Sequence, residues 1–293
     1  MAEGFPGKKQ SHAVVIGAGW AGWGAAKALC EAGVRVTLID GMAYPTGSEP
    51  ITTQSGKPFE AGTRGFWKDY PNINSLTAEL GLGSIYTEFT TSAFWSPDGL
   101  EATAPVFGDA PQLPSPVGQM LATVENFKRL PVPDRLSIAG LLYAMLDLNR
   151  SDAVYRIYDS IDALTLFRQL RISDRMIDDF LRPTLLVGLF KPPEELSAAV
   201  TMELLYYYAL AHQDSFDVRW IKAKSIAEQL IAPLSRRLSE RHQLEVLGGT
   251  LATRLNVAPG THAIRSVETR SVKTGSTGVI DDVDAVVLAV GAK

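Results

Sequence analysis

The stretch VVIGAGWAGWGAAKALCEAGVRVTLID, residues 14–40, constrains the fold more than any other part of the chain. An apolar run stops at a glycine-dense turn, small residues follow at helical spacing, and a second apolar run ends on an acid. Gly17, Gly19 and Gly22 give the pattern G-x-G-x-x-G, with Ala26 at the next small-residue position. Each glycine has a mechanical reason to be there. Gly17 lets a strand turn sharply, Gly19 lets the backbone approach a pyrophosphate, and Gly22 and Ala26 let a helix lie close to a sheet. The N-terminus of that helix offers N–H groups and a positive dipole end to phosphates. Asp40 closes the second strand, where a carboxylate can accept hydrogen bonds from an adenosine ribose. Strand, turn, helix, strand and acid in this order predict the opening unit of a doubly wound parallel sheet that binds a dinucleotide. The acid argues against the 2′-phosphate of NADP and leaves FAD and NAD both open.

Composition narrows the partners. With 28 basic against 32 acidic residues the net charge is -4, so no broad positive field draws in nucleic acid. A single cysteine, Cys30, excludes an internal disulfide and a multi-cysteine metal site, and four scattered histidines show no ligand spacing, so no metal is expected. Cys30 falls on the helix after the turn and reads as a buried packing residue rather than a reactive thiol. The longest apolar candidate, LSAAVTMELLYYYALA, is broken by Glu203, and a membrane-spanning helix needs about 18 or more apolar residues. The N-terminal MAEGFPGKKQSH lacks the apolar core of a secretory signal and is too short for a transit peptide.

At 293 residues there is room for two domains. Gly41 to about Pro71 is rich in Gly, Pro, Thr and Ser and reads as loop with short extended pieces. NINSLTAELG reads as a short helix ended by Gly81. FWSPDGLEATAPVFGDAPQLPSP favours short strands and marks a crossing between domains. Helical periodicity dominates residues 119–243. Pro193, Glu194 and Glu195 suit the first turn of the LSAAVTMELLYYYAL helix, Ser225 and Glu228 have capping-box spacing, and Pro233 predicts a kink. After Gly248 and Gly249 the alternation of strands returns in AIRSVETRSV and GVIDDVDAVVLAVG. The expected fold class is α/β: a Rossmann-like domain built from residues 1–105 and 244–293, with a largely helical domain, 106–243, inserted between them.

Two further segments carry a family resemblance. GKPFEAGTRGFWKDYPNINSLTAELGL resembles the part of phytoene desaturases and related FAD-dependent proteins of the amine oxidase superfamily in which an acid-x-Gly element, an aromatic and Tyr-Pro-Asn precede a helix ending in Glu-Leu-Gly. FLRPTLLVGLFKPPEELSAAVTMELLYYYALAHQDSFDVRW resembles the substrate-domain segment of desaturase-like proteins of plastids and cyanobacteria, and LGGTLATRLNV through DAVVLAVGAK resembles the segment that returns to the FAD-binding domain. The resemblance implies FAD as cofactor and a helical substrate domain. It also implies oxidation or isomerisation of an apolar, carotenoid- or polyene-like substrate by hydride transfer to the flavin, in a plastid, the cytoplasm being the alternative. It assigns the ADP half of the cofactor to Gly17, Ala18, Gly19, Trp20, Gly22 and Asp40. The flavin side falls to Gly62, Thr63 and Arg64, and a backbone contact with adenine to Val257. No residue receives a catalytic role. The apolar stretch from Leu181 to Ala211, with no spanning segment, suggests peripheral membrane contact through which a lipid-soluble substrate enters.

Two departures qualify this. YPTGSEP stands where relatives often carry Gly-Gly-Lys/Arg, and the family continues past Lys293 into a last Gly-Asp strand-turn-helix that closes over the flavin. The chain therefore reads as a C-terminally truncated form. A flavin amine oxidase and a non-catalytic dinucleotide-binding protein are the alternative readings. Tyr206, Tyr207, Tyr208 and His212 read either as the wall of a channel for a long apolar substrate, to which at most two could contribute because successive helical positions face different sides, or, preferentially, as core residues. Arg64 is either a flavin contact or a loop arginine paired to Glu60 or Asp69. SRRLSERH reads as a solvated helix face, and no Ser/His/Asp arrangement supports hydrolysis.

Overall fold

The computed structural model describes residues 10–44, 51–59, 65–68, 70–90, 93–103, 127–148, 151–211, 217–222, 225–261 and 263–291. The chain opens with β1 (His12–Ile16), α1 (Trp20–Glu31) and β2 (Arg35–Ile39), followed by the short strands β3 (Ile51–Thr52), β4 (Pro58–Phe59) and β5 (Phe66–Trp67), then α2 (Pro71–Leu80), β6 (Ala93–Ser96) and β7 (Gly99–Thr103). Next come α3 (Val132–Ser137), α4 (Ala139–Asp147), α5 (Asp152–Asp159), α6 (Ala163–Gln169), α7 (Asp174–Met176), α8 (Arg182–Leu189) and α9 (Ala198–Ala211). The last elements are β8 (Val218–Arg219), α10 (Ala232–Arg241), β9 (Leu244–Leu247), β10 (Thr250–Val257), β11 (Ile264–Ser271), β12 (Thr277–Ile280) and β13 (Ala285–Leu288). These fall into two units, the described residues of 1–64, 73–87 and 220–293, and those of 65–72 and 88–219.

The first unit is built on four parallel strands in the order β13–β1–β2–β9. A parallel sheet is covered on both faces, which is why its strands read as unbroken apolar runs. On one face Val14 and Ile39 pack with Val267 of β11 and with Val283, under the antiparallel sheet β10–β11–β12. Residues of opposite parity, Ala13, Val15 and Leu38, are buried too, on the face where α1 lies with Gly22, Ala26 and Cys30 turned inward. The predicted strand, turn, helix and strand are therefore present, and the first and last parts of the chain share one sheet.

At the start of β1, His12 is buried, with Nε2 at 3.0 Å from Thr37 Oγ1 and Nδ1 at 3.2 Å from the Asp282 carbonyl. Burial, reinforced by nearby Arg35, holds its pKa below the ordinary value. The predicted α2 ends where Gly81 takes φ +69°. The SRRLSERH face is not wholly solvated: Leu238 is buried, Arg237 donates to the Glu79 carbonyl at 2.6 Å, and its guanidinium lies 3.0 Å from the Glu79 carboxylate. Lys27 approaches the same carboxylate at 3.1 Å, tying α1, α2 and α10 together.

The capping box forms as predicted: Ser225 N donates to Glu228 Oε2 and Glu228 N to Ser225 Oγ, both at 3.2 Å. The helix then widens into a π-turn over Ala227–Ile231, ahead of Pro233 in α10. Ile177–Leu181 forms a second π-turn ahead of Pro183 in α8. A proline has no N–H and its ring meets the carbonyl four residues back, which here falls inside each widened turn.

The second unit is largely helical, around a core that includes Phe167, Met176, Ile177, Leu181, Leu185 and Met202. Asp162 caps α6 by accepting from Thr165 N at 2.8 Å. Pro193–Glu195 do not begin α9 as the sequence pattern predicts; they form a separate 3₁₀ turn. Leu196 is extended, its carbonyl accepting from Ala163 N at 2.9 Å, so the helix starts only at Ala198. Unit boundaries also differ from those drawn on composition at 105/106 and 243/244. The β6–β7 hairpin belongs to the helical unit because Phe94 stacks edge-on against Phe127 at 5.5 Å, and α10 belongs to the sheet unit because it leads into β9. Among the described residues no helix is long and apolar enough to cross a membrane, and no group of three His, Cys, Asp or Glu residues is placed to hold a metal.

Candidate functional site

The chain leaves β1 through α1 to β2 on one side, while β13 flanks β1 on the other. Beyond the carboxyl ends of β1 and β13 the strand order reverses, and in open parallel sheets ligands bind at that crevice. The glycine turn sits there. Gly17 N donates to the Ile39 carbonyl at 2.8 Å, and Ala289 N donates to the Ile16 carbonyl at 2.8 Å, so the segment after β13 runs beside the turn.

The three glycines differ physically. Gly17 takes φ +101°, and a Cβ there would lie 2.5 Å from the Ala289 carbonyl oxygen. A Cβ on Gly22 would lie 1.8 Å from the Gly17 carbonyl oxygen. Both positions are closed to side chains by backbone. Gly19 has φ −73° and ψ −173°, extended geometry that any residue adopts, and a Cβ there would meet nothing within 4 Å. It precedes α1 without a side-chain cap, its carbonyl accepting from Trp23 N at 3.0 Å. The space above Gly19 is thus an open cradle at a helix N-terminus, which suits a pyrophosphate. Ala18 is buried, whereas Trp20 is 38% exposed at the lip.

Asp40 lies beside the turn, but its carboxylate is engaged by backbone: Oδ2 accepts from Ala18 N and Oδ1 from Met42 N, each at 2.7 Å. Its main chain is tied as well, N donating to the Leu247 carbonyl at 3.1 Å and O accepting from Thr250 N at 2.8 Å. Gly41 follows, where a Cβ would lie 2.8 Å from Leu251 Cδ2. Gly17, Ala18, Gly19, Trp20, Gly22 and Asp40 are therefore brought together. Val257 is not: it pairs with Ile264 at the far end of β10, roughly 23 Å along the strand from Thr250. The β10 residues beside Asp40 are Thr250 and Leu251, which the sequence pattern does not single out, and the same holds for Ala289. The Gly248-Gly249 pair, where the chain turns from β9 into β10, is the signal that points to them.

Gly62, Thr63, Arg64, Glu60, Asp69 and His212 lie outside the described residues, as do the side chains of Tyr207 and Tyr208. Tyr206 is 43% exposed rather than a core residue. Cys30 is buried, and burial pushes its thiol pKa up to about 11, which fits packing rather than reactivity.

Comparison with known proteins agrees with this geometry. Residues 15–80 match the NAD(P)-binding Rossmann-like domain family. Carotenoid phi-ring synthase of Chlorobaculum tepidum is 30% identical over 257 residues, covering 85% of this chain and 38% of that protein. The chloroplastic/chromoplastic 15-cis-phytoene desaturase of Solanum lycopersicum is 28% identical over 191 residues, 64% of this chain and 32% of that protein. The chain thus spans well under half the length of these curated relatives. Cyclohexylamine oxidase from Brevibacterium oxydans, at 18% identity and a TM-score of 0.59, covers 96% of this chain and 58% of its own, and shows that the fold is shared. The sheet order, the glycine turn at its switch point and the family match together give the chain a Rossmann-like dinucleotide-binding domain, and over most of its length its sequence is similar to proteins of carotenoid chemistry, a phi-ring synthase and a phytoene desaturase.

Proposed function

We propose that the chain holds FAD and belongs to an oxidoreductase acting on a carotenoid-like, lipophilic substrate. The observation that carries this reading is the open space at Gly19, framed by the closed positions Gly17 and Gly22 at the switch point of the sheet. The residues fit the ADP half of a dinucleotide: the N–H groups of Gly19 and of the first turn of α1 toward the pyrophosphate, Leu251 and Thr250 on the adenosine side, and the Asp40 carboxylate disfavouring a 2′-phosphate. The flavin side falls to the Gly62–Arg64 segment by resemblance. A bound flavin supplies the two-electron acceptor, and the protein supplies position and a water-poor surrounding. Titration calorimetry on the full chain tests the cofactor: FAD and ADP are expected to bind, whereas tight binding of NADP with no response to FAD overturns the assignment.

The carotenoid-like substrate is supported by the two curated relatives, one a phi-ring synthase and the other a phytoene desaturase. An amine substrate has only the shared fold behind it. A plastid location is supported by the chloroplastic relatives alone. A lipophilic substrate must arrive from a membrane or a carrier, and the helical unit exposes Val187 and Phe190 to 77% and 83% at the end of α8. We therefore expect peripheral contact with lipid through this end. Flotation with liposomes checks it: the wild-type chain is expected to float and a Val187→Ser/Phe190→Ser variant to stay behind. Equal flotation of both removes the membrane part of the proposal.

A further inference from the structure

We propose that Asp40 is a positioning residue whose carboxylate sets the backbone of the glycine turn through the Ala18 N–H, ahead of any role as an acceptor for ribose hydroxyls. The proposal rests on the dinucleotide reading above. Three successive residues of the turn are each held by a different element. Gly17 N is bonded to the end of β2 at 2.8 Å, Ala18 N to the Asp40 carboxylate at 2.7 Å, and the Gly19 carbonyl to the first turn of α1 at 3.0 Å. Only the middle tie is made by a side chain. Ala18 is 1% exposed, so without Asp40 its N–H is left buried and short of an acceptor. The anchor is firm, because the Asp40 main chain is fixed to Leu247 and Thr250 on either side, and its second carboxylate oxygen is spent on Met42 N. The carboxylate therefore orients the peptide between Gly17 and Ala18, and with it the approach to the open space at Gly19.

Two readings of Asp40 separate by ligand. A ribose acceptor matters only when the ribose hydroxyls are present, whereas a residue that sets the turn matters for any ligand carrying the pyrophosphate. The experiment compares wild type and Asp40→Ala for binding of ADP and 2′,3′-dideoxy-ADP, with amide hydrogen exchange read on the ligand-free proteins. We expect Asp40→Ala to weaken both ligands by the same factor, about tenfold or more. We also expect exchange at the Ala18 amide to quicken at least about tenfold, while the amides of Val14, Val15 and Ile16 in β1 keep their protection. That local pattern distinguishes positioning from general loss of stability. Unchanged binding of the dideoxy ligand in Asp40→Ala, or an Ala18 amide that exchanges as in wild type, overturns the proposal. Should Asp40→Ala not fold, Asp40→Asn carries the same comparison, since an amide has one acceptor oxygen and can keep only one of the two N–H partners while still reaching a ribose hydroxyl. If wild type takes up neither nucleotide, the dinucleotide reading fails, and the exchange measurement, which needs no ligand, still decides whether the turn depends on Asp40.

Discussion

A methyl group added to each glycine of the turn has three different consequences. At Gly22 it lands 1.8 Å from the Gly17 carbonyl oxygen, and at Gly17 it meets Ala289 in a backbone conformation that disfavours any side chain. Gly22→Ala and Gly17→Ala are each expected to cost about 3 kcal/mol or more, read as a lowered denaturant midpoint. Gly19→Ala meets nothing within 4 Å and keeps an ordinary φ, so it is expected to unfold within about 0.5 kcal/mol of wild type while losing at least about tenfold in ADP affinity. The sequence pattern gives each glycine its own reason, and the Gly22 clash, with a carbonyl five residues back, lies within that pattern. The closure of Gly17, by contrast, is set by Ala289, brought in from the other end of the chain, and so is not legible locally. Cys30 carries a residue-scale prediction of its own. With its folded-state pKa raised to about 11 the unfolded thiol ionises first, so stability is expected to fall as pH rises from the ordinary thiol range toward that value. At pH 8 iodoacetamide should label Cys30 only after denaturant is added.

Whole elements respond to pH at the opposite end of the sheet from the glycine turn. His12 titrates below its ordinary 6.5 in the folded state, so as pH falls below that value the unfolded chain binds protons that the folded chain resists. Stability is expected to decline through this window, as the contacts joining β1 to Thr37 and to the turn before β13 come under strain. Urea midpoints at pH 7.5 and 5.5 check this, and His12→Gln should flatten the difference. The capping box gives a simpler expectation, Ser225→Ala costing about 1 kcal/mol. Elements whose signals lie within a few residues, such as β1, α1, β2, α2 and this cap, are legible in the sequence. Where long-range pairing decides, local pattern misleads: α9 starts late because Leu196 is drawn to Ala163, and Val257 lies off the site because the pairing of β10 with β11 and the hydrogen bond from Thr250 to Asp40 set its position. Pro233 announces a disturbance but not its form, a π-turn that Pro183 repeats elsewhere. At the end of α8, Phe190 holds φ +59° while 83% exposed, so Phe190→Gly relieves backbone strain at little packing cost and is expected to raise the thermal midpoint by about 2–4 °C.

The molecule as a whole is organised by a sheet whose middle strand comes from the start of the chain and whose neighbour comes from the far end. Val14 of β1 lies between Thr37 and Val286, and the Gly17 turn is bounded by Ala289. Between them in sequence lies the helical unit, most of it one continuous segment, 88–219, with local contacts that favour early folding. Order of synthesis follows from this arrangement. As the chain leaves the ribosome, the helical unit can complete its core while β1 still lacks one of its partners, and the cradle at Gly19 stays unfinished until residues near 289 have emerged. Nucleotide can then act only as a late ligand, trapping a nearly finished protein rather than guiding its assembly. Arrested nascent chains ending near residue 280 should retain a protease-resistant helical unit yet fail to be protected further by ADP, and protection should arrive only with chains long enough to place β13 against β1.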